Sequence, residues 1–417
     1  LIERTARIAA IEASARGINW TFSPMVDVAR DPRWGRIAES GGEDPWLGAQ
    51  IARAMVKGYQ GDDLARRDTI LACVKHFALY GAVEGGRDYN TTDMSRVVMY
   101  NDYFPPYRAA VEAGVASVMS AFTLVERVPA TSSRWLLTDV LREQWGFGGF
   151  VVTDCGSIGE VSNHGLGDLR AASSAALHAG TDMDMQSRGF IATLEQSAQD
   201  GTVRVADIDR ACRRVLEAKY KLGLFADPYR YLDLARPAVE VLTAGHIASA
   251  REVARETMVL LQNRNRLLPL KKTTKITLVG PLADLRGPLL GCWTATADRS
   301  NVVSVLDGLR SAVSAPESIR YVQGCHVADE KFLATNKVSP LAADEAVPGE
   351  ERSAQELLSE ALQMARESEV IVAVLGETGG MSGEASSRSL IELPGCQRTL
   401  LKALAETLSA QGAKQVA

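Results

Sequence analysis

The sequence predicts an α/β protein built from two successive α/β units. Short apolar runs of strand length alternate with longer helical patterns along the chain, which indicates βα units and parallel sheets. In the first half, the strand-like runs end in polar or ionisable residues. Polar residues at the carboxyl ends of parallel strands are typical of the active-site rim of a (β/α)8 TIM barrel. A doubly wound open sheet places them along one crevice in the same way.

Five apolar runs in the first half are predicted strands, beginning at Ile18, Leu71, Val115, Gly149 and Ala179. They are hydrophobic without strict alternation, as strands buried on both faces are. Helical patterns such as PWLGAQIARAMVKGYQG and YFPPYRAAVEAG separate them. If this unit is a barrel, about three of its eight strands are missing from the N-terminal side.

A second α/β unit follows a stretch with little periodicity, and we predict domains at 1–225 and 246–417 with a linker at 226–245. The second unit begins with the amphipathic pattern AGHIASAREVARETMVLLQNRN. Its predicted strands are KITLVGPLAD, IRYVQGCHV and SEVIVAVLGETGG, with helices such as RSAQELLSEALQMARES between them. This pattern predicts a parallel sheet that ends one strand early.

The bulk properties exclude several classes of protein. A length of 417 residues suggests two or three domains, or one barrel and a smaller domain. The net charge of −5 and the lack of a basic cluster argue against a nucleic-acid partner. No apolar run approaches the ~20 residues of a membrane span. The 6 cysteines are scattered singly, which disfavours a zinc site and a disulfide scaffold. We therefore predict no metal and no cofactor.

Both ends of the chain indicate a fragment. The sequence begins with Leu1 inside a helical pattern, with no initiator Met and no signal-peptide profile. It stops at GAKQVA, where a further apolar strand is expected. We expect the 417 residues alone to be unstable or inactive, since a barrel that lacks strands leaves unpaired edges.

Asp154 is the first candidate for chemistry, because it ends the predicted strand GFVVTDC. A carboxylate there can act as nucleophile, general base or metal ligand. The alternative is an N-cap for the next helix, a position that Asp often fills. Lys75 and His76 end another strand, where both can hydrogen-bond substrate hydroxyls. The alternative for His76 is a buried core histidine.

The stretch DPRWGRIAESGGEDP places Arg33, Trp34 and Arg36 among several acids. Arg36 offers a rigid fork of donors that suits two adjacent oxygens, and Trp34 offers a flat apolar face. We expect one arginine to be held by the acids of the loop and the other to face a pocket.

These motifs together resemble glycoside hydrolase family 3, and most closely its bacterial periplasmic β-glucosidases. The resemblance rests on DPRWGR, VKHFALYGAVEGGRDYN, GFVVTDCGSI, AREVARETMVLLQNRNRLLPL and VLGETGGMSGEASSR in this order, and it covers essentially the whole chain. It implies a retaining exo-acting β-glycosidase with a (β/α)8 barrel followed by an α/β sandwich. It also implies a periplasmic or secreted location and an oligosaccharide or aryl β-glycoside substrate.

The resemblance implies roles for particular residues. Asp154 is the nucleophile, and Arg36, Lys75 and His76 hold hydroxyls of the terminal sugar. The general acid/base comes from the second domain, where Glu384 is preferred over Glu377 because it lies in the glycine-rich loop beyond the strand. The loop ALYGAVEGG lacks the GHG histidine of the family's hexosaminidases, which argues against that activity.

The sequence departs from the family pattern near the predicted nucleophile. Cys155 stands where the family has an aromatic residue or His, which weakens a contact to substrate. Thr123, Glu126 and Arg127 replace the usual Asn-x-x-Asn-Gly. No stretch resembling the family's D-x-x-H-G is present.

The sequence leaves three alternatives open, and the departures favour one of them, the non-catalytic paralogue. The alternatives are a β-xylosidase of the same family, a degenerate or truncated sugar-binding paralogue without catalysis, and a metal-dependent hydrolase with Asp154, His76 and Asp182 as ligands. No HxH or HExxH spacing supports the last. The sequence leaves the oligomeric state unknown.

Overall fold

The computed structural model describes residues 1–294, 298–329, 331–332 and 352–410. It divides the chain into two compact units, and the α/β class predicted from the sequence is confirmed. The first unit contains Leu1–Asp31, Glu39–Gly85 and Tyr89–Met258. The second contains Pro32–Ala38, Gly86–Asp88 and the chain from Val259 onward.

The α-helices within the described residues are numbered in chain order. They are α1 Ile2–Ala15, α2 Pro45–Gln60, α3 Arg96–Val98, α4 Pro105–Glu112, α5 Ser157–Asn163, α6 Leu169–Ala179, α7 Gly189–Gln199, α8 Val205–Lys221, α9 Arg236–Glu240, α10 Ala244–Glu256, α11 Val305–Ala312, α12 Ala354–Arg366 and α13 Gly395–Ala410. Two π-helical segments, Met99–Tyr103 and Trp135–Gln144, also belong to the first unit. None of the described helices is long and apolar enough to cross a membrane.

The strands form three small sheets. They are β1 Cys73–Phe77, β2 Ser117–Ser120, β3 Leu124–Val125, β4 Val128–Pro129, β5 Phe150–Val152, β6 Ile276–Val279, β7 Ile319–Val322 and β8 Val370–Ala373. In the first unit β1, β2 and β5 are parallel in that order, and β3 and β4 form an antiparallel hairpin. Every residue of β2 and β5 is buried, as the continuous apolar runs predict.

The predicted strands from Ile18 and Ala179 are present only as isolated parallel bridges. Trp20 and Met25 pair with β1 or the residues before it, and Met183 pairs with Val152 at the end of β5. Pro24 has no amide hydrogen to donate, which interrupts the first of these segments. The five segments still lie side by side in sequence order. This order favours the barrel over a doubly wound sheet, in which the strand order reverses.

The helices of the first unit begin and end at residues that the sequence marks. The side chain of Asp44 accepts from the amide of Leu47, and Pro45 occupies the first turn of α2. Asp168 caps α6 in the same way, and Gly180 ends that helix with a φ of 117°. The charges of the predicted pocket loop are therefore partly structural, because Asp44 serves as a cap.

The segment predicted as a linker packs within the first unit. Tyr231 is buried in the core formed by Leu71, Met119 and Phe150. Arg236, at the start of α9, is buried and donates to the carbonyl of Ser14. The boundaries 1–225, 226–245 and 246–417 stay a prediction.

The second unit has a parallel sheet in the order β7-β6-β8, with helices on both faces. Val279, Val322 and Ile371 pack against α12 and α13. Ile276, Leu278 and Ile319 pack on the other side with α11. The order reverses at β6, which is the mark of a doubly wound sheet. Ser353 and Glu356 form a reciprocal capping box at α12.

One predicted helix is shorter than its pattern. AGHIASAREVARETMVLLQNRN is helical only over α10, which ends at Glu256. The following residues Met258–Leu261 are not helical and are exposed. Because Met258–Leu261 are exposed, extending the helix through them would bury no apolar face. Helical stability in proteins comes chiefly from such packing.

Candidate active site

Asp154 lies two residues beyond β5, at the carboxyl edge of the first sheet, and is 7% exposed. Its Oδ1 accepts a hydrogen bond of 2.7 Å from the amide of Cys155. Gly156 is the N-cap of α5, with a φ of 77° that favours glycine. Asp154 is therefore not the side-chain cap of this helix, and its carboxylate is directed elsewhere.

The imidazole of His76 lies between two carboxylates of the first unit. Its Nε2 is 3.6 Å from Oδ2 of Asp154. Its Nδ1 is 2.8 Å from Oδ2 of Asp27, which also accepts the backbone amide of His76 at 3.1 Å. The side chain of His76 is 1% exposed and that of Asp27 is fully buried. The buried ring of His76 is therefore hydrogen-bonded on one side and faces a second carboxylate on the other.

Tyr107 completes this group from α4. Its hydroxyl donates to Oδ1 of Asp27 and lies 2.8 Å from the carbonyl oxygen of His76. Burial and the neighbouring Asp27 charge raise the pKa of Tyr107 well above 10. The phenol therefore keeps its proton and acts as a donor to Asp27.

A buried hydroxyl chain supports the turn that carries Asp154. Ser120 Oγ at the end of β2 is 2.8 Å from Thr131 Oγ1, and Thr131 also hydrogen-bonds Ser157 at the start of α5. The hydroxyl of Thr181 donates to the carbonyl of Thr131 at 2.9 Å. These contacts fix the start of α5, whose first amide donates to the carbonyl of Asp154.

Lys75 and Cys155 lie at the same edge. Lys75 is half-buried in β1, next to His76, and Cys155 is exposed beside Asp154. The structure thus brings Asp154, His76, Lys75 and Cys155 to one end of the first sheet, where the carboxyl ends of its strands meet.

Asp182 is a structural carboxylate and does not fit the alternative of a metal ligand. It pairs with Arg142 at 2.5 Å and with Arg214 at 2.7 Å. The amide of Val151 donates to it at 2.8 Å. Burial raises the pKa of Asp182 despite these cations, and burial also lowers the pKa of Arg142 to about 10. Both shifts have one cause, which is the cost of desolvating a charged pair.

The segment with Trp34 and Arg36 belongs to the second unit. The indole N–H of Trp34 donates to Asp88 at 2.8 Å, and the ring is fully buried. Contrary to the expectation from the sequence, Trp34 therefore does not offer its face to a pocket. The amide of Gly35 donates to Ser386 at 3.0 Å, and that of Gly383 donates to Gly35 at 2.7 Å. Gly35 is thus hydrogen-bonded through both its amide and its carbonyl to the glycine-rich loop of the second unit.

The two candidate glutamates of the second unit differ in their partners. Glu377 pairs with Arg388, a buried arginine that also donates to the carbonyl of Glu392. Glu384 lies 3.9 Å from the guanidinium of Arg36, whose side chain is 1% exposed. Arg36 in turn lies over the ring of Trp293 at 5.5 Å. The pairing of Glu377 is typical of a structural acid.

The loop that carries both glutamates follows β8, beside the point where the strand order of the second sheet reverses. Ligands of open α/β sheets bind at such a switch point, outside the carboxyl ends of the strands. The loops after β6 and β8 approach closely there, because a Cβ on Gly280 would lie 2.1 Å from the carbonyl oxygen of Val374.

Sequence reasoning did not assign a role to Asp27, Tyr107 or Asp88. Asp27 carried a signal, since it ends a predicted strand as Asp154 does. Tyr107 lies in a helical pattern and Asp88 in a glycine-rich loop, and neither position marks a contact with a residue distant in sequence.

The fold and these carboxylates define a class: a two-unit α/β protein with acidic side chains at the carboxyl edge of each sheet. Residues 1–218 match the glycosyl hydrolase family 3 N-terminal domain, and residues 258–411 match the family's C-terminal domain. The chain belongs to glycosyl hydrolase family 3.

Individual relatives agree with this membership. A periplasmic beta-glucosidase of Salmonella typhimurium is 44% identical over 97% of this chain and 53% of its own length. A beta-xylosidase of Formosa agariphila is 34% identical over 98% of this chain and 56% of its own. The crystal structure of a Listeria innocua beta-glucosidase in complex with glucose is similar, with a TM-score of 0.88 and 37% identity over 100% of this chain and 53% of that one. The chain therefore spans about half the length of the relatives it matches.

Proposed function

We propose that the protein is a retaining, exo-acting β-glycosidase that hydrolyses terminal, non-reducing β-D-glucosyl residues. The observation that carries this proposal is the pair of Asp154 and His76, 3.6 Å apart at the carboxyl edge of the first sheet. Catalytic groups of βα barrels occupy this edge. The 44% identity to a beta-glucosidase supports the choice of sugar.

Asp154 is the proposed nucleophile. One of its carboxylate oxygens attacks the anomeric carbon while a protonated carboxyl group donates its proton to the leaving oxygen. Water, deprotonated by the same second group, then releases the sugar from the covalent glycosyl-enzyme. Retention requires the two carboxyl groups to stand about 5–5.5 Å apart during the reaction.

Glu384 is the proposed acid/base, with Glu377 as the alternative. The pairing of Glu377 with buried Arg388 supports this preference, because that ion pair occupies the carboxylate. Glu384 is 17% exposed, lies in the glycine-rich loop beyond Glu377, and is 3.9 Å from the guanidinium of Arg36.

Arg36, Lys75 and His76 are the proposed ligands for sugar hydroxyls, with Cys155 beside the leaving-group side of the nucleophile. All four carry donors, and hydroxyl groups accept hydrogen bonds from such side chains. The proposed substrate is an oligosaccharide or aryl β-glycoside. The proposed domains are 1–225 and 246–417, joined by 226–245, and the proposed location is periplasmic or secreted, as in the Salmonella relative.

A β-xylosidase is the second candidate, because a beta-xylosidase matches 98% of this chain at 34% identity. The two activities share the same chemistry and differ by the hydroxymethyl group of glucose. Comparing kcat/KM for aryl β-glucosides and aryl β-xylosides separates them.

The proposal is tested by replacing Asp154 with Asn in the complete protein and assaying a panel of aryl β-glycosides. We expect kcat to fall by more than about a thousandfold, because a neutral amide cannot form the glycosyl ester. Asp168→Asn is the matched control, since Asn caps a helix as well as Asp does. A variant of Asp154 that retains the control's rate would contradict the proposal, and inactivity of both proteins on every glycoside would favour a non-catalytic sugar-binding protein.

A further inference from the structure

Asp27 has the environment of a carboxylate that organises another side chain. Its side chain is fully buried, and both of its carboxylate oxygens accept hydrogen bonds from protein donors. Its Oδ2 accepts both the backbone amide and Nδ1 of His76, and its Oδ1 accepts the hydroxyl of Tyr107. Three donors converge on one buried carboxylate, which favours its ionised form.

The same contacts define the proton on Nδ1 of His76. An ionised carboxylate only accepts hydrogen bonds, so the 2.8 Å contact requires Nδ1 to carry the proton. The ring cannot flip without losing this bond. Nε2 is therefore the atom presented to Asp154, at 3.6 Å.

We propose that Asp27 is a positioning residue that, with Tyr107, holds His76 with Nδ1 protonated and Nε2 directed at the carboxylate of Asp154. This inference rests on the proposed function, in which Asp154 is the nucleophile. A ring held between two carboxylates is stabilised as the imidazolium. A cation at this place keeps Asp154 ionised and ready to attack, and it compensates the buried charge of Asp27.

The groups that face His76 come from several elements and determine its charge. Asp27 precedes the DPRWGR segment, Asp154 follows β5, and Tyr107 belongs to α4. The ring of Tyr80 packs edge-on at 5.1 Å. Lys75 precedes His76 in β1 and is the neighbouring cation that opposes its protonation. The two carboxylates, one of them hydrogen-bonded, outweigh that single half-buried lysine.

Nuclear magnetic resonance of the complete protein, labelled with ¹⁵N-histidine, tests the inference directly. The 417-residue sequence contains 5 histidines. The signals of His76 are assigned as those that disappear from the spectrum of the His76→Gln variant. We expect both ring nitrogens of His76 to be protonated near pH 7, with the Nδ1 proton far downfield. A neutral ring with its proton on Nε2 would overturn the inference. This readout does not depend on glycosidase activity, so it separates failure of this inference from failure of the proposed function.

Asp27→Asn tests the consequence for catalysis. The amide removes the anion, which lowers the proton affinity of His76, so the basic limb of the kcat/KM profile moves to lower pH. We expect kcat to fall by about a hundredfold or more, as it does when the orienting acid of another catalytic histidine becomes an amide. Asp182→Asn is the matched control, a buried carboxylate with purely structural partners. Asp182→Asn is expected to lower the melting temperature without shifting the basic limb of the kcat/KM profile.

Two outcomes of this experiment count against the inference. One is an Asp27→Asn variant that behaves as the control does, less stable but with the wild-type pH profile. The other is a limb that moves to higher pH. If Asp27→Asn does not fold, the protonation state of His76 in the wild-type protein decides the matter.

Discussion

The guanidinium of Arg36 lies 3.9 Å from the carboxylate of Glu384 within one compact unit, although the first residue belongs to the part of the chain matched by the N-terminal domain of the family. Pro32–Ala38 belongs to the second unit, where Gly35 hydrogen-bonds the glycine-rich loop that carries Glu384.

The proposed acid/base is tested by comparing Glu384→Gln with Glu377→Gln. Glu384→Gln is expected to lower kcat/KM on β-linked disaccharides by about 10²–10⁴-fold, the usual contribution of a general acid. Its effect on kcat/KM for nitrophenyl glucosides is expected to be much smaller, because nitrophenolate leaves without protonation and kcat/KM does not include the later hydrolysis of the glycosyl-enzyme. Steady-state rates on both substrates measure the difference.

Glu377→Gln is expected to change stability more than rate, since it removes the partner of buried Arg388. The expected loss in unfolding free energy is about 1–2 kcal/mol, below that of a fully buried pair because Glu377 is partly exposed. Glu392→Gln, in an exposed pair with Arg398, is the control. If Glu377→Gln, and not Glu384→Gln, gives a rate loss that depends on the leaving group, Glu377 is the acid/base.

Asp88 is expected to be a stability determinant of the second unit. It accepts the indole N–H of Trp34 at 2.8 Å and the amide of Ala385 at 2.6 Å. Asp88→Ala leaves both donors without that acceptor, which costs about 1–3 kcal/mol for each buried donor. Denaturant unfolding measures the loss, and exposed Asp93→Ala is the control. A loss no larger than the control's would contradict the structural role.

The Glu126-Arg127 turn is expected to be strained. Both residues have positive φ, 51° and 66°, in the two-residue hairpin between β3 and β4. This turn type favours Asn-Gly, so Arg127→Gly is expected to stabilise the protein by about 1 kcal/mol. Thermal unfolding measures the gain. Arg134→Gly, at a residue with helical φ and ψ, is the control and is expected to destabilise.

Asp207 is expected to make stability depend on acid pH. Hydrogen bonds from Arg204, and then from Arg210, lower its pKa to about 2. A depressed pKa stabilises the folded state above the ordinary pKa of 3.8, and this contribution disappears as the pH falls through about 2. The contribution is roughly 1–2 kcal/mol, because both arginines are exposed to solvent. Asp207→Asn should therefore be less stable than wild type at pH 6, with the gap closing towards pH 2 in denaturant titrations. A gap that stays constant would contradict this assignment.

The sequence predicts local features of the fold well and long-range contacts poorly. The apolar runs of β2 and β5 and the capping residues Asp44 and Asp168 are local signals, and each matches the structure. The order of strands in the first sheet follows from the βα alternation. The bridge-only pairing of the Ile18 segment depends on Pro24 and on how its neighbours pack, which the pattern does not specify.

The same distinction applies to the candidate site. Asp154 and His76 were identifiable because each ends a strand, and strand ends share an edge. The Asp27–His76 contact, the Trp34–Asp88 hydrogen bond and the burial of Trp34 join residues from separate elements. No spacing in the sequence encodes these pairs. The charged residues of DPRWGR are evident in the sequence, but the pairing of Arg36 with Glu384 is not.

Trapping the covalent intermediate tests the central claim most directly. The complete protein is incubated with 2-deoxy-2-fluoro-β-D-glucosyl fluoride, whose fluorine slows hydrolysis of the glycosyl-enzyme, and the labelled residue is located by peptide mass spectrometry. The result we predict is one 2-fluoroglucosyl group on the peptide that contains Asp154, and no label on Asp154→Asn. A label on another carboxylate, or an active enzyme that accumulates no adduct, would contradict the account.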